Sequence, residues 1–143
     1  MRRYIEIPLQ LLDIEGEGFH IMVQGWIHGK EAHFLIDTGA SRSVFDPTTI
    51  AGFIENPQFE QKEGITAGVG CSDLESSTFL IDSLVIGELE IRDYEAVALD
   101  LENIHEMYAK LHLPHIDGII GGDLLMRHKA IINYKAKKIR LTP

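Results

Sequence analysis

The sequence predicts one all-β domain carrying a few short helices. Three pairs of apolar segments, at 18–36, 78–91 and 130–141, are each joined by a short polar or glycine-containing turn, which is the pattern of β-hairpins. Helical spacing is confined to 101–113, where Leu101, Ile104, Met107 or Tyr108, and Leu111 recur. The strand-like Gly118-Ile119-Ile120 is stopped by Gly121-Gly122 and followed by Asp123-Leu124-Leu125, a short C-terminal helix with an acid near its start.

Each element follows in chain order. Residues 4–13 read as one edge strand, because Pro8 is tolerated only where no ladder hydrogen bond is needed. A strand over 18–27, the polar turn His28-Gly29-Lys30-Glu31 and a strand over 32–36 form a hairpin that delivers Asp37. After the short apolar run Ser43-Val44-Phe45, Asp46 caps a short helix with Pro47 at its first position, ending near Gly52. The run 64–72 places Gly64, Gly68 and Gly70 among β-branched residues, as in a flexible hairpin. It lacks the Gly-Lys-Ser/Thr ending and the following helix of a phosphate-cradling loop. A hairpin over 78–91 and a separate strand over 94–99 follow, then the helix of 101–113 and a closing hairpin over 130–141.

Composition narrows the function. At 143 residues and 45% hydrophobic, the chain builds one core. Its mean hydropathy is +0.00 and it has no long apolar run, so no membrane span is expected. Met1-Arg2-Arg3 precedes no apolar stretch of signal-peptide length before Glu6 and Asp13 intervene, which leads to a cytoplasmic expectation. A lone Cys71 allows no intrachain disulfide and fits a reducing compartment. The net charge of −9 disfavours nucleic acid as a partner. Charge is uneven: 127–140 carries six basic residues and no acid, whereas 88–106 carries seven acids against Arg92. Solvated faces account for both, the rival being an acidic face of one subunit meeting a basic face of another.

The chemistry centres on Phe34-Leu35-Ile36-Asp37-Thr38-Gly39-Ala40-Ser41. An apolar strand carries Asp37 towards low-dielectric surroundings, where a carboxylate is costly unless it is hydrogen-bonded, paired or used. Thr38 and Ser41 bring hydroxyls, and Gly39 permits a sharp turn. A plain hairpin corner would use the same residue types. Metal chemistry is not expected: Pro114 breaks the helical spacing of His112-Leu113-Pro114-His115, and no cysteine accompanies that pair. No cofactor is implied.

Taken together, Asp37-Thr38-Gly39-Ala40 and Ile119-Ile120-Gly121 resemble the retropepsin-like aspartic proteases, over roughly residues 17–142. The resemblance implies a closed acid-protease barrel in which the hydrophobic-hydrophobic-Gly element braces the loop of the catalytic Asp37, with Thr38 and Gly39 completing the triplet. It further implies that Gly68, Val69 and Gly70 belong to a flap closing over a peptide, an ordinary glycine-rich loop being the alternative. Ala40 and Ile120 are candidate substrate-binding residues, and a place in the core accounts for Ile120 equally well. Relatives of this kind use two carboxylates sharing a proton around one water, one as general base and one as general acid. This chain has one Asp-Thr-Gly, and Asp117-Gly118 and Asp123 lack the Thr-Gly context. An enzyme built from it is therefore a homodimer with Asp37 of each subunit across a two-fold axis, titrating as a coupled pair. Ala40 offers no hydroxyl where pepsin-like relatives have Ser, which favours activity away from strongly acid pH. The helix at 101–113 is an insertion relative to retroviral members. Those members interleave their termini in a small sheet, whereas this basic, Pro-ending C-terminus leaves room for another assembly. A second class of function is a retropepsin-like peptide-binding or regulatory module without catalysis.

Overall fold

The computed structural model describes residues 3–61 and 77–143. Eleven strands and three helices lie among them. In order they are β1 (Ile5–Pro8), β2 (Gln10–Asp13), β3 (Phe19–Ile27), β4 (Lys30–Ile36), β5 (Val44–Phe45), α1 (Pro47–Ile50) and β6 (Glu60–Gln61), then β7 (Ser77–Ile86), β8 (Leu89–Ala98), α2 (Glu102–Lys110), β9 (Gly118–Ile120), α3 (Gly122–Arg127), β10 (Ile131–Asn133) and β11 (Lys138–Leu141).

The larger sheet runs β2-β3-β4-β9-β5-β8-β7-β6, and β7 also pairs with β3. That extra pairing closes β3-β4-β9-β5-β8-β7 into a six-stranded barrel, as the fold class expected. The β3–β4 hairpin turns at His28 and Gly29, both at positive φ (49° and 79°), the geometry of a two-residue turn matched to strand twist. Asp46 caps α1 by accepting from the Thr48 and Thr49 N–H groups.

Successive residues on the barrel strands serve two cores. Val23, Ile36, Ala98 and Ile120 point into the barrel, while their neighbours Met22, Leu35, Val97 and Ile119 point outward into a second apolar cluster. That outer cluster is covered by α2 through the buried Tyr108 and the partly buried Ile104. Helix α2 thus explains why these strands are apolar on both faces rather than alternating.

Three sequence readings change. Residues 4–13 are two strands, not one. Pro8 ends β1 for want of an N–H, the buried Leu9 bonds to the Lys137 carbonyl at 2.9 Å, and β2 then joins a different sheet. The strands read at 78–91 and 94–99 form one long hairpin, with β8 continuous through Asp93 at positive φ. The helix at 101–113 is shorter, since His112 turns to φ 56° and Pro114 follows. The short helix after Gly121 and the closing β10–β11 hairpin lie where the sequence put them. No helix among the described residues is long and apolar enough to cross a membrane.

The terminal strands form their own three-stranded sheet, β1-β11-β10, within one chain. Its apolar face, through Ile5, Ile7, Ile139 and Leu141, seals one end of the barrel core.

Candidate active site

Asp37 directly follows β4. Its N–H bonds to the Ile120 carbonyl at 3.0 Å, one step beyond the parallel register that matches Phe34 with Gly118, Leu35 with Ile119 and Ile36 with Ile120. The chain then turns sharply. The Asp37 carboxylate accepts the Gly39 N–H at 2.9 Å, and the Asp37 carbonyl accepts the Ala40 N–H at 3.2 Å. Asp37 is half-buried and Thr38 and Gly39 are exposed. The carboxylate therefore stands at the rim of the barrel rather than inside it, which departs from the low-dielectric placement inferred from the strand alone.

The loop is held from the other side by α3. The Ala40 carbonyl accepts the Gly122 N–H at 2.7 Å and the Ser41 carbonyl accepts the Asp123 N–H at 3.1 Å. Helix N–H groups at a first turn have no partner within their own helix. Here the Asp37 loop supplies one, and α3 has no side-chain cap of its own. The approach is so close that a Cβ on Gly121 would lie 2.7 Å from the carbonyl oxygens of both Ala40 and Arg42.

Asp123 completes the brace. One oxygen of its carboxylate accepts both the N–H and the hydroxyl of Ser43, each at 2.8 Å, and the other accepts the Tyr94 hydroxyl. The Ser43 hydroxyl oxygen in turn accepts the Gly121 N–H at 2.9 Å, and Arg42 Nε lies 3.5 Å from the second carboxylate oxygen. Burial first, then the Asp123 carboxylate beside it, push the Tyr94 hydroxyl well above its ordinary pKa, keeping it a donor. Sequence reading placed Asp123 near a helix start but missed Ser43 and Tyr94, because pairs 80 and 29 positions apart leave no local signal.

Two grooves meet at this loop. One of about 690 Å³ runs along α3 and β10, lined by Thr38, Gly122, Met126, Lys129 and Ile131 among others. The other, of about 380 Å³, is lined by Asp37 and Thr38 with Phe19, His20, Ile36, Ile104 and Tyr134. Thr38 and Ile132 border both. His20 is held at the second groove by Tyr108 of α2, whose hydroxyl lies 2.5 Å from His20 Nδ1.

Of the residues singled out from sequence, Asp37, Thr38 and Gly39 come together at the groove rim. Ala40 is buried just beneath, in the outer cluster with Val44 and Ile119. Ile120 is 1% exposed and lines a small void of about 10 Å³ with Ile36 and Leu124, so its side chain is core rather than a groove wall. Strand alternation turns it inward, a parity that the run Ile119-Ile120 does not reveal. Gly68, Val69 and Gly70 lie outside the described residues.

A sequence-family model described as aspartyl protease matches residues 23–124, a span that contains the Asp37 loop and reaches into α3. The chain belongs to this aspartyl protease family. Among solved structures, it is similar to a retropepsin-like aspartic protease from Rickettsia conorii, with a TM-score of 0.58 and 19% identity, covering 96% of this chain and 89% of that one. It is also similar to the retroviral protease-like domain of Ddi1 from Leishmania major, with a TM-score of 0.53 and 19% identity, covering 84% of this chain and 86% of that one. At such identities the likeness is one of fold, and the retropepsin-like barrel is the fold that this family member has. No curated protein matches its sequence.

Proposed function

We propose that this family member is an aspartic endopeptidase acting as a homodimer, with the Asp37 carboxylate of each subunit forming the catalytic pair. The observation that carries the reading is the position of Asp37: an accessible carboxylate on a turn anchored on both sides, by β9 at its N–H and by α3 at the Ala40 and Ser41 carbonyls. An anchored loop keeps a general base in register with its water. One such carboxylate is half of a proton-sharing pair, and an isologous two-fold assembly supplies the other without a second motif.

In this mechanism one Asp37 takes a proton from water as the water attacks the scissile carbonyl carbon. The Asp37 of the second subunit gives its proton to the carbonyl oxygen. The tetrahedral intermediate then collapses with proton transfer to the leaving amine, and the pair returns to its shared-proton state. Extended peptides with apolar residues flanking the scissile bond are the proposed substrates.

Asp37→Asn tests this, because the amide keeps an oxygen for the Gly39 N–H and preserves the turn. Cleavage of an unstructured peptide library is expected to be lost while the circular dichroism spectrum and unfolding midpoint are retained. Undiminished cleavage would remove Asp37 from the mechanism.

A further inference from the structure

We propose that His20 determines specificity in the Asp37 groove: Tyr108 of α2 holds its ring so that Nε2–H donates to the side-chain carboxamide oxygen of an Asn or Gln in the bound peptide. This rests on the peptidase reading above and names a feature of its substrate. His20 lies on β3 where the ladder to β4 runs out. Ile21 faces Ile36 in antiparallel register, and the next residues along the two chains are His20 and Asp37. His20 therefore follows Met22 on the outer face of the sheet, towards the cluster that holds Tyr108. His20 and Asp37 border the same groove of about 380 Å³, in which His20 is the one lining side chain that carries a nitrogen. Phe19, Ile36 and Ile104 make the groove otherwise apolar, which suits a site where a single placed polar group fixes selectivity.

The direction of the hydrogen bond follows from burial. The Tyr108 side chain is 1% exposed, and among the described residues its hydroxyl has one partner, His20 Nδ1 at 2.5 Å. A buried hydroxyl that did not donate would strand its proton. Burial also pushes the Tyr108 hydroxyl up to about 12, so it keeps that proton at neutral pH. Tyr108 therefore donates to Nδ1, and in the neutral ring the remaining hydrogen sits on Nε2. Nε2 has no partner among the described residues, where the only buried side-chain nitrogen or oxygen lacking one is His128 Nε2. The Nε2–H group is thus open to solvent and free to bond a ligand. A carboxamide oxygen suits this donor better than a carboxylate, because a second negative charge in the groove of Asp37 would be repelled.

Two measurements on the full chain test the assignment. The first is cleavage, at neutral pH, of peptides in which each position flanking the scissile bond is in turn Leu, Asn or Gln. One position is expected to favour the carboxamide. His20→Leu is expected to lower the ratio of kcat/KM for the carboxamide peptide to that for the Leu peptide by about 3- to 10-fold, the effect of one neutral hydrogen bond. His20→Gln, which retains an N–H donor, is expected to restore part of that ratio, and Tyr108→Phe is expected to lower it with His20 still present. A ratio discounts any loss of folded protein, which lowers both rates alike. The second measurement is the ¹⁵N signal of the His20 ring, identified by its absence in His20→Gln, in the Asp37→Asn chain. It is expected to report hydrogen on Nε2, and to shift with the carboxamide peptide but not with the Leu peptide. No preference at any position, or a preference that survives His20→Leu, overturns the assignment, as does hydrogen on Nδ1. A chain that cleaves none of the peptides while the His20 signal still responds to the carboxamide overturns the peptidase reading and leaves His20 as a peptide-recognition residue. Neither cleavage nor response overturns both.

Discussion

Ser43 and Asp123, eighty residues apart in sequence, meet through two 2.8 Å hydrogen bonds to one carboxylate oxygen. That junction ties the end of the Asp37 loop to the first turn of α3. Its partners, Tyr94 and the Gly121 N–H, reach it from a barrel strand and from the end of β9. The loop is thereby held by three elements.

Asp123→Ala is expected to destabilise the fold by about 2–4 kcal/mol, since it strands the Ser43 and Tyr94 donors in a partly buried site and removes charged acceptors. Asp123→Asn, which keeps one acceptor oxygen, is expected to cost about half as much. Urea unfolding of the two variants measures the difference. Equal losses would mean that the charge, not the acceptor geometry, sets the energy.

Gly121→Ala is expected to cost about 1–3 kcal/mol, the range for added volume in a packed site. Its Cβ meets two backbone carbonyls, which cannot rotate away as a side chain could. Gly122→Ala is the comparison: the same methyl there would lie 3.3 Å from the Ala40 oxygen, a contact that a small shift relieves. Thermal unfolding should rank Gly121→Ala clearly below Gly122→Ala.

Asp46 carries two loads. One oxygen caps α1 and the other accepts the Leu101 N–H at 2.9 Å, fixing the chain just before α2. Asp46→Ala is expected to cost about 2–4 kcal/mol, a lost cap plus a buried orphan N–H. Asp46→Ser keeps the cap alone and should recover about 1 kcal/mol of that. Chemical denaturation decides whether the second load is real, because a serine variant of full stability would assign all of the effect to capping.

Alkaline pH should weaken the fold through Tyr108. An unfolded tyrosine ionises near pH 10, whereas burial pushes the Tyr108 hydroxyl up to about 12. Between those values the unfolded chain has released a proton that the native chain still holds. The contribution is therefore complete below pH 10 and is lost as pH rises through 12. The loss is of order 1–3 kcal/mol. Tyr94 is shifted in the same direction and adds to the fall. In Tyr108→Phe the unfolding free energy should drop less steeply between pH 10 and 12, although the variant starts lower at pH 7 for want of the His20 hydrogen bond. Parallel slopes for the two proteins would count against this account.

Much of the framework was legible because it is written in local chemistry. The Asn/Gly-like freedom of the His28-Gly29 turn, the Asp46-Pro47 cap and the Gly121-Gly122 stop each act within a few residues, and each element stands where those signals put it. The triplet Asp37-Thr38-Gly39 and the brace Ile119-Ile120-Gly121 were legible for the same reason, as short motifs with fixed spacing. Pairings across the barrel were not. Which of Ile119 and Ile120 faces the core depends on the register between β4 and β9, and a one-residue slip would exchange them. The split of 4–13 between two sheets depends on where β11 lies, far away in sequence.

The sequence by itself determined the strand-rich class and the single Asp-Thr-Gly turn. Tertiary structure alone decided that Asp37 stands at a rim rather than in the core, that Asp123, Ser43 and Tyr94 converge behind it, and that the most exposed apolar side chains among the described residues gather around Thr38. The physical reason is range. Backbone propensity and turn chemistry act over a few residues, whereas burial, register and hydrogen-bond satisfaction are set by whichever distant segment fills the space.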